Sequence, residues 1–444
     1  MPAVHVAAGV RFVILSSGRS VRAEDGVVAV PSSDPRVAEY VAAGKLIVDN
    51  PATEPAPGLW APLPSVERTD QPSRLGASMG ALGDSITLQN RGTGAVLLAP
   101  GFGTWASILS GGKLRLSTSR ATAGFTAKQV HDTHLAGIIA DKPSCCTVMV
   151  GTNDGDPAKV TDLTVETFPY MAAMYDKLLA AGITPIICTP PPQDPVGDEQ
   201  RRRVDWIADF ARRAAEKRGV PFVDMRALAT NTGAWPSGAK LDASHPNPLG
   251  ARLMGQAIVD AFAGRLPAFG PSLAYAQQGP TGTTNLVSSF DPLFLGQGAS
   301  PTTPQNWSVT GSGATSSLDS TDATIRGNWF VLSQPAGVET RAVSNNFTVV
   351  PGNRVQLAAR IRATVPAGNT FEIAMLSASG TTYVCGLNGV TCDVPAGSVI
   401  VAEGDVPAGL TSARVWARMT GSGSGGTFRV AQVKVTDLTA LGLT

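Results

Sequence analysis

The sequence lacks a long apolar run and a bias toward charge of one sign. Nowhere do about 18 apolar residues follow one another, so no membrane-spanning helix is predicted. The first residues show no basic segment followed by an apolar one, so we expect no secretory signal. Lys and Arg number 35 against 34 Asp and Glu. This balance predicts no binding to nucleic acid or to an anionic membrane, and indicates a soluble protein with a neutral partner.

Cysteine is also scarce, with only five in 444 residues. That number is too small for a disulfide framework. Cys145, Cys146 and Cys188 lie in apolar, strand-like runs. Buried free thiols are therefore the simplest expectation for these three.

The other two cysteines flank a dipeptide typical of a hairpin turn. Cys385 and Cys392 stand on either side of Asn388-Gly389. A type I′ turn at this dipeptide would place the two cysteines opposite each other on paired strands, within disulfide range. Whether they are bonded stays open, because a bond would require an oxidising location.

The length of the chain predicts more than one domain, since 444 residues exceed one compact core. The 48 Gly and 33 Pro indicate many turns and some linker. We predict a small module with a Pro-rich connector over residues 1–65, a catalytic domain over 66–266, a linker over 267–283 and a β-sandwich over 284–444.

The first module is predicted to be β-rich. Strand-like runs occur at Val10–Ile14 and Val27–Val30, and a short helix is predicted from Asp34 to Gly44. In its general pattern the module resembles the short attachment modules at the start of some phage virion proteins. The alternative is a docking or oligomerisation module with another partner.

In the middle region, strand-like apolar runs alternate with amphipathic helical stretches. This alternation is typical of a parallel sheet covered on both faces. We therefore predict a flavodoxin-like three-layer α/β/α domain, whose ligands bind at the carboxyl ends of the strands. The predicted strands are Met79–Gly83, Lys113–Ser117, Cys146–Gly151, Thr184–Thr189 and Pro221–Met225, and two of the helices are 165–181 and 202–218. Arg201 to Arg203 are expected on a solvated helix face.

The last part of the chain shows short alternating runs separated by Gly, Ser, Asn and Pro, without helical periodicity. This predicts an all-β sandwich, similar to a jelly roll. In architecture it resembles the carbohydrate-binding modules attached to polysaccharide-active enzymes. Trp307, Trp329 and Trp416 are then candidates for stacking on sugar rings, although packing in the core is the commoner role of such residues.

Four short motifs in the middle region together predict acyl-transfer chemistry. Ser85, in Gly-Asp-Ser at the end of a strand-like run, is the candidate nucleophile, and a serine needs a base and oxyanion donors to act. Asp242 and His245 lie three residues apart in a loop, where the carboxylate can orient the imidazole. Gly124 and Asn153 offer a backbone N–H and a side-chain amide.

At these four motifs the sequence resembles the SGNH (GDSL-type) hydrolase family. The resemblance covers residues 76–265 and implies Ser85 as nucleophile, His245 as base and Asp242 as its orienting group. It also implies an oxyanion hole formed by the N–H groups of Ser85 and Gly124 and by the side chain of Asn153. The sequence departs from the usual pattern in that about 75 residues precede the region of resemblance, whereas the serine motif usually lies near the start of the mature chain.

Other candidate residues carry weaker predictions. Ser78 lies in Gly-Ala-Ser-Met-Gly, a nucleophile-elbow pattern, but it falls at the start of a strand instead of its end. Asp84 is expected to hold the turn by local hydrogen bonds. Trp105 and Trp235 are candidates for the edge of the substrate cleft, with packing as the alternative. No metal ligand set is recognised, and we expect no cofactor.

Taken together, the sequence predicts a serine ester hydrolase. An O-acetyl esterase acting on polysaccharide, associated with a virion, fits the flanking modules and the absence of an export signal; a cytoplasmic location is the alternative. A lipid or acyl-thioester hydrolase is the second hypothesis. The third is a non-catalytic glycan-binding adhesin or structural virion protein.

Overall fold

The computed structural model describes residues 77–92, 96–230, 233–262, 302–325 and 327–442, five strands within the first 48 residues, and positions 266, 273, 286 and 293–295. The chain divides into two units, residues 1–61 and 62–444. None of the helices in this described part is long and apolar enough to cross a membrane.

The first unit contains short antiparallel strands. One sheet has the order β4-β1-β5, and β2 pairs with β3. The predicted helix from Asp34 to Gly44 and the Pro-rich connector lie outside the described residues. The strands are β1 (Ala3–Val6), β2 (Phe12–Ile14), β3 (Ser20–Arg22), β4 (Val27–Ala29) and β5 (Leu46–Val48).

The second unit begins with a five-stranded parallel sheet of order β11-β10-β9-β6-β8. The prediction of a parallel α/β domain is therefore confirmed, with strand positions close to those expected. The central strands β6 and β9 are buried at every position except Ser78, because helices cover the sheet. The strands are β6 (Ala77–Gly83), β8 (Leu114–Ala121), β9 (Cys145–Met149), β10 (Thr184–Cys188) and β11 (Phe222–Val223).

Seven helices accompany this sheet in the described residues. The apolar faces of α3, α5 and α6 pack with β6, β9 and β10 in one hydrophobic cluster. On the remaining helices, α2 approaches α7 so closely that a Cβ at Gly255 would lie 2.5 Å from the Cβ of Trp105. The helices are α1 (Ser85–Leu88), α2 (Phe102–Leu109), α3 (Ala127–Asp141), α4 (Leu163–Glu166), α5 (Phe168–Ala180), α6 (Asp198–Arg218) and α7 (Pro248–Ala261), with a 3-10 helix at Met225–Leu228.

Beyond the helices, the described part of the C-terminal region is made of antiparallel strands in two sheets, as predicted. One sheet has the order β12-β15-β21-β18-β19-β7, where β7 is Val96–Leu98, with β16 also paired to β21, and the other has the order β13-β14-β22-β17-β20. Phe371 and Phe428, one from each sheet, pack with ring centroids 5.5 Å apart. The strands are β12 (Trp307–Thr310), β13 (Thr315–Asp319), β14 (Trp329–Ser333), β15 (Thr340–Ser344), β16 (Phe347–Thr348), β17 (Arg354–Thr364), β18 (Asn369–Ser377), β19 (Tyr383–Val390), β20 (Val399–Asp405), β21 (Ser412–Gly421) and β22 (Thr427–Asp437).

A strand from the α/β domain joins the sandwich. The segment between α1 and α2 forms β7 (Val96–Leu98), which pairs with β19 in parallel and becomes the edge of a sandwich sheet. No strand was predicted there from the sequence. The predicted linker at 267–283 lies outside the described residues except for Leu273, which is buried against β17 and β20.

A buried ionic cluster adds to this junction. Arg115 of β8 contacts the Glu403 carboxylate of β20 at 2.7 Å, and Arg354 and Gln356 of β17 also contact Glu403 at 3.3 and 2.8 Å. Burial disfavours the charge of Glu403, but the two guanidinium groups and the Gln356 amide outweigh it and lower the pKa of this carboxyl. Such a pair is sensitive to the loss of either partner.

The predicted hairpin turn at Asn388-Gly389 is wrong. Both residues lie inside β19, and they form a bulge, because Phe371 and Ile373 of β18 pair with Val390 and Leu387. Gly389 has φ +79°, which accommodates the extra residue without strain. The flanking cysteines at 385 and 392 are consequently not paired across a turn, and both are free thiols.

Candidate active site

The site is formed at the carboxyl edge of the parallel sheet. Gly83, the last residue of β6, pairs in register with Ala121 at the end of β8 and with Met149 at the end of β9. The segments that follow these three strands therefore leave the sheet side by side. They carry Ser85 and, on its two sides, Gly124 and Asn153.

Ser85 is the first residue of α1 and is partly exposed. Asp84 before it is fully buried and caps the helix, since its Oδ1 accepts a hydrogen bond from the Ile86 N–H at 3.1 Å. The predicted turn-holding role of Asp84 is thus confirmed. Burial raises the pKa of Asp84 to about 6, against the opposing effects of the Ile86 N–H and the Thr152 hydroxyl.

The serine and histidine of the predicted set are in contact. The Ser85 Oγ lies 2.8 Å from the His245 Nε2, although 160 positions separate the two residues in the chain. The other ring nitrogen, Nδ1, lies 2.9 Å from both carboxylate oxygens of Asp242. A carboxylate can only accept, so Nδ1 carries the proton and Nε2 is left as acceptor for the serine hydroxyl.

The loop that carries Asp242 and His245 is held in place locally. The Asp242 Oδ1 accepts hydrogen bonds from the Ser244 N–H at 2.8 Å and the His245 N–H at 2.9 Å. Burial disfavours its charged form, but these N–H groups and the imidazole together lower the pKa of Asp242. Asn247 then caps α7 through the N–H groups of Leu249 and Gly250, which ends the loop.

The two predicted oxyanion residues lie in loops that are in contact with each other. The Asn153 Nδ2 donates to the carbonyl of Phe125, the neighbour of Gly124, at 3.0 Å. Gly124 is exposed, and its φ of +79° is a backbone conformation that residues other than glycine adopt only with strain. The structure therefore brings Asn153 to the loop of Gly124.

Sequence reasoning missed the residues that support the loop after β9. Arg203 was expected in solvent, but its guanidinium group donates to the backbone carbonyls of Asp154, Gly155 and Val160 at 3.2, 3.2 and 2.6 Å. The Asp154 carboxylate is buried and accepts from the Ala127 N–H and the Thr167 hydroxyl. No sequence signal marked Arg203, because its contacts are to backbone.

The tryptophans predicted at the cleft edge are buried instead. Trp105 is inaccessible to solvent because α2 packs tightly on α7, and its indole N–H donates to the Ala99 carbonyl at 2.7 Å. Trp235 is 4% exposed. Neither ring offers a face to a substrate, so the predicted substrate-binding role is wrong for both.

The tryptophans of the sandwich are also in its core. Trp307, Trp329 and Trp416 are 7%, 5% and 4% exposed. Trp416 has the guanidinium groups of Arg341 and Arg418 within 5.0 and 4.7 Å of its ring centre. These rings pack within the protein, as the alternative prediction held. Within the described residues, no group of three or more acidic, histidine or cysteine side chains is placed to hold a metal ion.

Comparison with known families identifies the type of the middle domain. Residues 81–253 match the model of the GDSL-like Lipase/Acylhydrolase family. The middle region is a GDSL-type hydrolase domain. Its enzymatic class is that of a carboxylic ester hydrolase. No curated protein matches the chain.

Solved structures with a similar fold share little sequence with the chain. A catalytic mutant of an acetylxylan esterase from Geobacillus stearothermophilus is 19% identical, covering 44% of this chain and 95% of that one with a TM-score of 0.34. A GDSL-like lipase from Bacteroides thetaiotaomicron is 19% identical, covering 42% of this chain and 88% of that one with a TM-score of 0.34. Similarity at this level does not bear on the substrate.

Proposed function

We propose that Ser85, His245 and Asp242 form the catalytic triad of an O-acetyl esterase that acts on polysaccharide. The observation that carries this proposal is the continuous series of contacts from the Ser85 Oγ through both imidazole nitrogens to the Asp242 carboxylate, at 2.8 and 2.9 Å. This arrangement supplies a nucleophile, a base and an orienting carboxylate.

In the first half of the reaction the Ser85 Oγ attacks the ester carbonyl carbon, and its proton moves to the His245 Nε2. The carbonyl π electrons move to oxygen and form a tetrahedral oxyanion. When this intermediate collapses, the C–O bond to the sugar breaks and the protonated imidazole gives its proton to the departing sugar hydroxyl. Asp242 stabilises the imidazolium ion, and Ser85 is left acetylated.

In the second half a water molecule takes the place of the sugar. His245 removes a proton from this water, whose oxygen attacks the acetyl carbon. Collapse of the second intermediate returns the proton to Ser85 and releases acetic acid, which ionises in neutral solution. Atoms balance without a cofactor, and the enzyme is regenerated.

The oxyanion would be bound by the N–H groups of Ser85 and Gly124 and by the Asn153 side-chain amide. The pairing of β6 with β8 and β9 supports this, because it makes these segments neighbours. The second hydrogen of the Asn153 amide is available, since the first goes to the Phe125 carbonyl. Removing one such donor typically lowers kcat by about 10²- to 10³-fold.

The openness of the site supports a bulky substrate with a small acyl group. Ser85 and Asn153 are partly exposed, Gly124 is exposed, and the His245 side chain is 27% exposed. A polymer can therefore bring an acetyl group to the serine from solvent. The net charge of +1 suits a neutral glycan, and the first module is a candidate for attachment to a virion or to another copy of the chain.

A panel of acetylated polysaccharides tests this function directly. Free acetate is measured with the wild type, Ser85→Ala and a buffer blank. We expect acetate release from at least one glycan by the wild type, and release at the blank level by Ser85→Ala. Equal release by the wild type and Ser85→Ala would rule out the assignment of the nucleophile.

One observation favours a second function, the hydrolysis of esters or thioesters with longer acyl chains. Leu88, one turn after Ser85 in α1, is 46% exposed, and Leu241, next to Asp242, is 68% exposed. Apolar side chains beside a site can bind an alkyl chain. Nitrophenyl esters separate the two functions, because an acetyl esterase loses kcat/KM steeply as the acyl chain lengthens, whereas a lipid hydrolase gains.

A further inference from the structure

Lys159 lies beside both predicted oxyanion residues. Its Nζ donates to the Asn153 Oδ1 at 2.7 Å. A Cβ added to Gly124 would lie 4.0 Å from the same Nζ. No role was predicted for Lys159 from the sequence, since a single lysine carries no motif.

The two partners of the Asn153 side chain fix the orientation of its amide. The ammonium group of Lys159 can only donate, so it requires the oxygen of the amide on its side. The Phe125 carbonyl can only accept, so it requires the nitrogen on the other side, where the Nδ2 lies at 3.0 Å. A rotation of the amide by 180° would place donor against donor and acceptor against acceptor.

Lys159 itself rises from an anchored loop. The Arg203 guanidinium group donates to the carbonyls of Asp154 and Gly155 before it and of Val160 directly after it. The Lys159 N–H also donates to the Asp156 carbonyl at 3.0 Å. The backbone that carries Lys159 is therefore held on both sides, which keeps its side chain within reach of Asn153.

We propose that Lys159 is a positioning residue that holds the Asn153 amide with its free N–H directed at the oxyanion. This inference rests on the proposed function, in which Asn153 is an oxyanion donor. A donor contributes to catalysis only if its N–H already points to where negative charge develops. Without the lysine, only the Phe125 carbonyl holds the amide, and the amide samples orientations that do not serve the reaction.

The test compares Lys159→Met, which keeps the length of the side chain, with Lys159→Arg, which keeps a charged donor. We expect Lys159→Met to lower kcat by about tenfold with KM within about twofold, and Lys159→Arg to restore most of the loss. Lys217→Met, at an exposed lysine in the last turn of α6, is the control for the loss of one positive charge and should leave kcat unchanged.

A double-mutant cycle with Asn153→Ala separates positioning from a direct effect of the charge. If Lys159 acts through Asn153, Lys159→Met lowers kcat no further once Asn153 is replaced. A full tenfold loss in the Asn153→Ala background, or an unchanged kcat in the single variant, would overturn the proposal. An absence of esterase activity in the wild type, or equal activity in Ser85→Ala, would instead refute the proposed function.

A measurement independent of activity keeps the inference testable in that case. With asparagine labelled by nitrogen-15, the side-chain amide signal of Asn153 is assigned by its loss in Asn153→Ala. Its hydrogens should exchange with solvent faster in Lys159→Met than in the wild type or Lys217→Met. Unchanged exchange in Lys159→Met would contradict the proposed positioning.

Discussion

In the hydrolase domain the polar side chains of the proposed active site lie at the carboxyl edge of a parallel sheet, whereas in the sandwich the buried polar groups lie within and between sheets. Ser85 follows β6 at this edge, and His245 reaches it from the loop before α7. In the sandwich, the buried Glu372 accepts a hydrogen bond from Tyr383 and is paired with Arg418 inside one sheet. The first arrangement faces solvent and can meet a substrate, while the second holds strands together.

The largest loss of kcat is expected from substitutions in the proposed triad, at the carboxyl edge of the parallel sheet. His245→Ala should lower kcat by about 10⁵- to 10⁶-fold because the serine loses its base. Asp242→Asn should lower it by about 10⁴-fold because the imidazole loses its orienting carboxylate. Both are measured on a nitrophenyl acetate.

The matched control for these variants is His131→Ala. His131 contacts Asp132 and Lys177 on the surface of the domain. The His131→Ala variant should therefore keep kcat within about twofold of the wild type. Comparable losses in His131→Ala and His245→Ala would show that the effect is not specific to the proposed base.

In the sandwich we expect an effect on stability and none on turnover. Trp416 is buried with Ala374 and Leu376, so Trp416→Ala should lower the free energy of unfolding by about 3 to 5 kcal/mol, measured by chemical denaturation. At a temperature where the variant is folded, kcat and KM for an acetylated polysaccharide should equal those of the wild type. A raised KM with unchanged stability would show that this ring binds sugar after all.

A substitution at the junction between the two regions should lower the free energy of unfolding by a similar or smaller amount. Arg115→Met leaves the Glu403 carboxylate buried with fewer donors, and we expect a loss of about 3 kcal/mol in the free energy of unfolding. The double variant Arg115→Met with Glu403→Gln should recover part of this loss because no buried charge is left unpaired. Additive losses in the double variant would contradict the pairing.

The smallest change in the free energy of unfolding is expected from a substitution of Asp84, and its size depends on pH. The folded-state pKa of about 6 lies above the unfolded value near 3.8, so the native state holds a proton that the unfolded chain has lost between these values. Stability from this group is therefore present at low pH and is lost as pH rises through 6.

Asp84→Asn removes this dependence. Relative to the wild type, the variant should gain at most about 3 kcal/mol in the free energy of unfolding between pH 4 and pH 7, measured by urea denaturation at each pH. A difference between the two proteins that stays constant over this range would show that Asp84 titrates normally.

The hydrolase domain was predicted well from the sequence because its strands and site residues lie in short, recognisable segments. Each strand is a short apolar run, and Ser85, Asn153 and His245 each lie in a segment whose chemistry is visible in a few letters. That Ser85 and Asn153 lie near each other follows once their strands are parallel neighbours, since the carboxyl ends share one edge.

The features that were missed depend on residues far apart in the chain. Strand β7 forms only because β19 offers it an edge nearly 290 positions later. Asn388-Gly389 is typical of a turn, but pairing with β18 on one side and β7 on the other keeps it inside a strand as a bulge. Trp105 is buried because Gly255 lets α7 approach it, and no local pattern around the tryptophan shows this.

The central claim is that Ser85 is a nucleophile activated by His245, and covalent labelling tests it most directly. The protein is treated with a fluorophosphonate, and the modified residue is located by peptide mass spectrometry. We predict a single adduct on Ser85, none in Ser85→Ala, and a labelling rate that falls by several orders of magnitude in His245→Ala. An unlabelled Ser85, or labelling as fast in His245→Ala as in the wild type, would contradict this account.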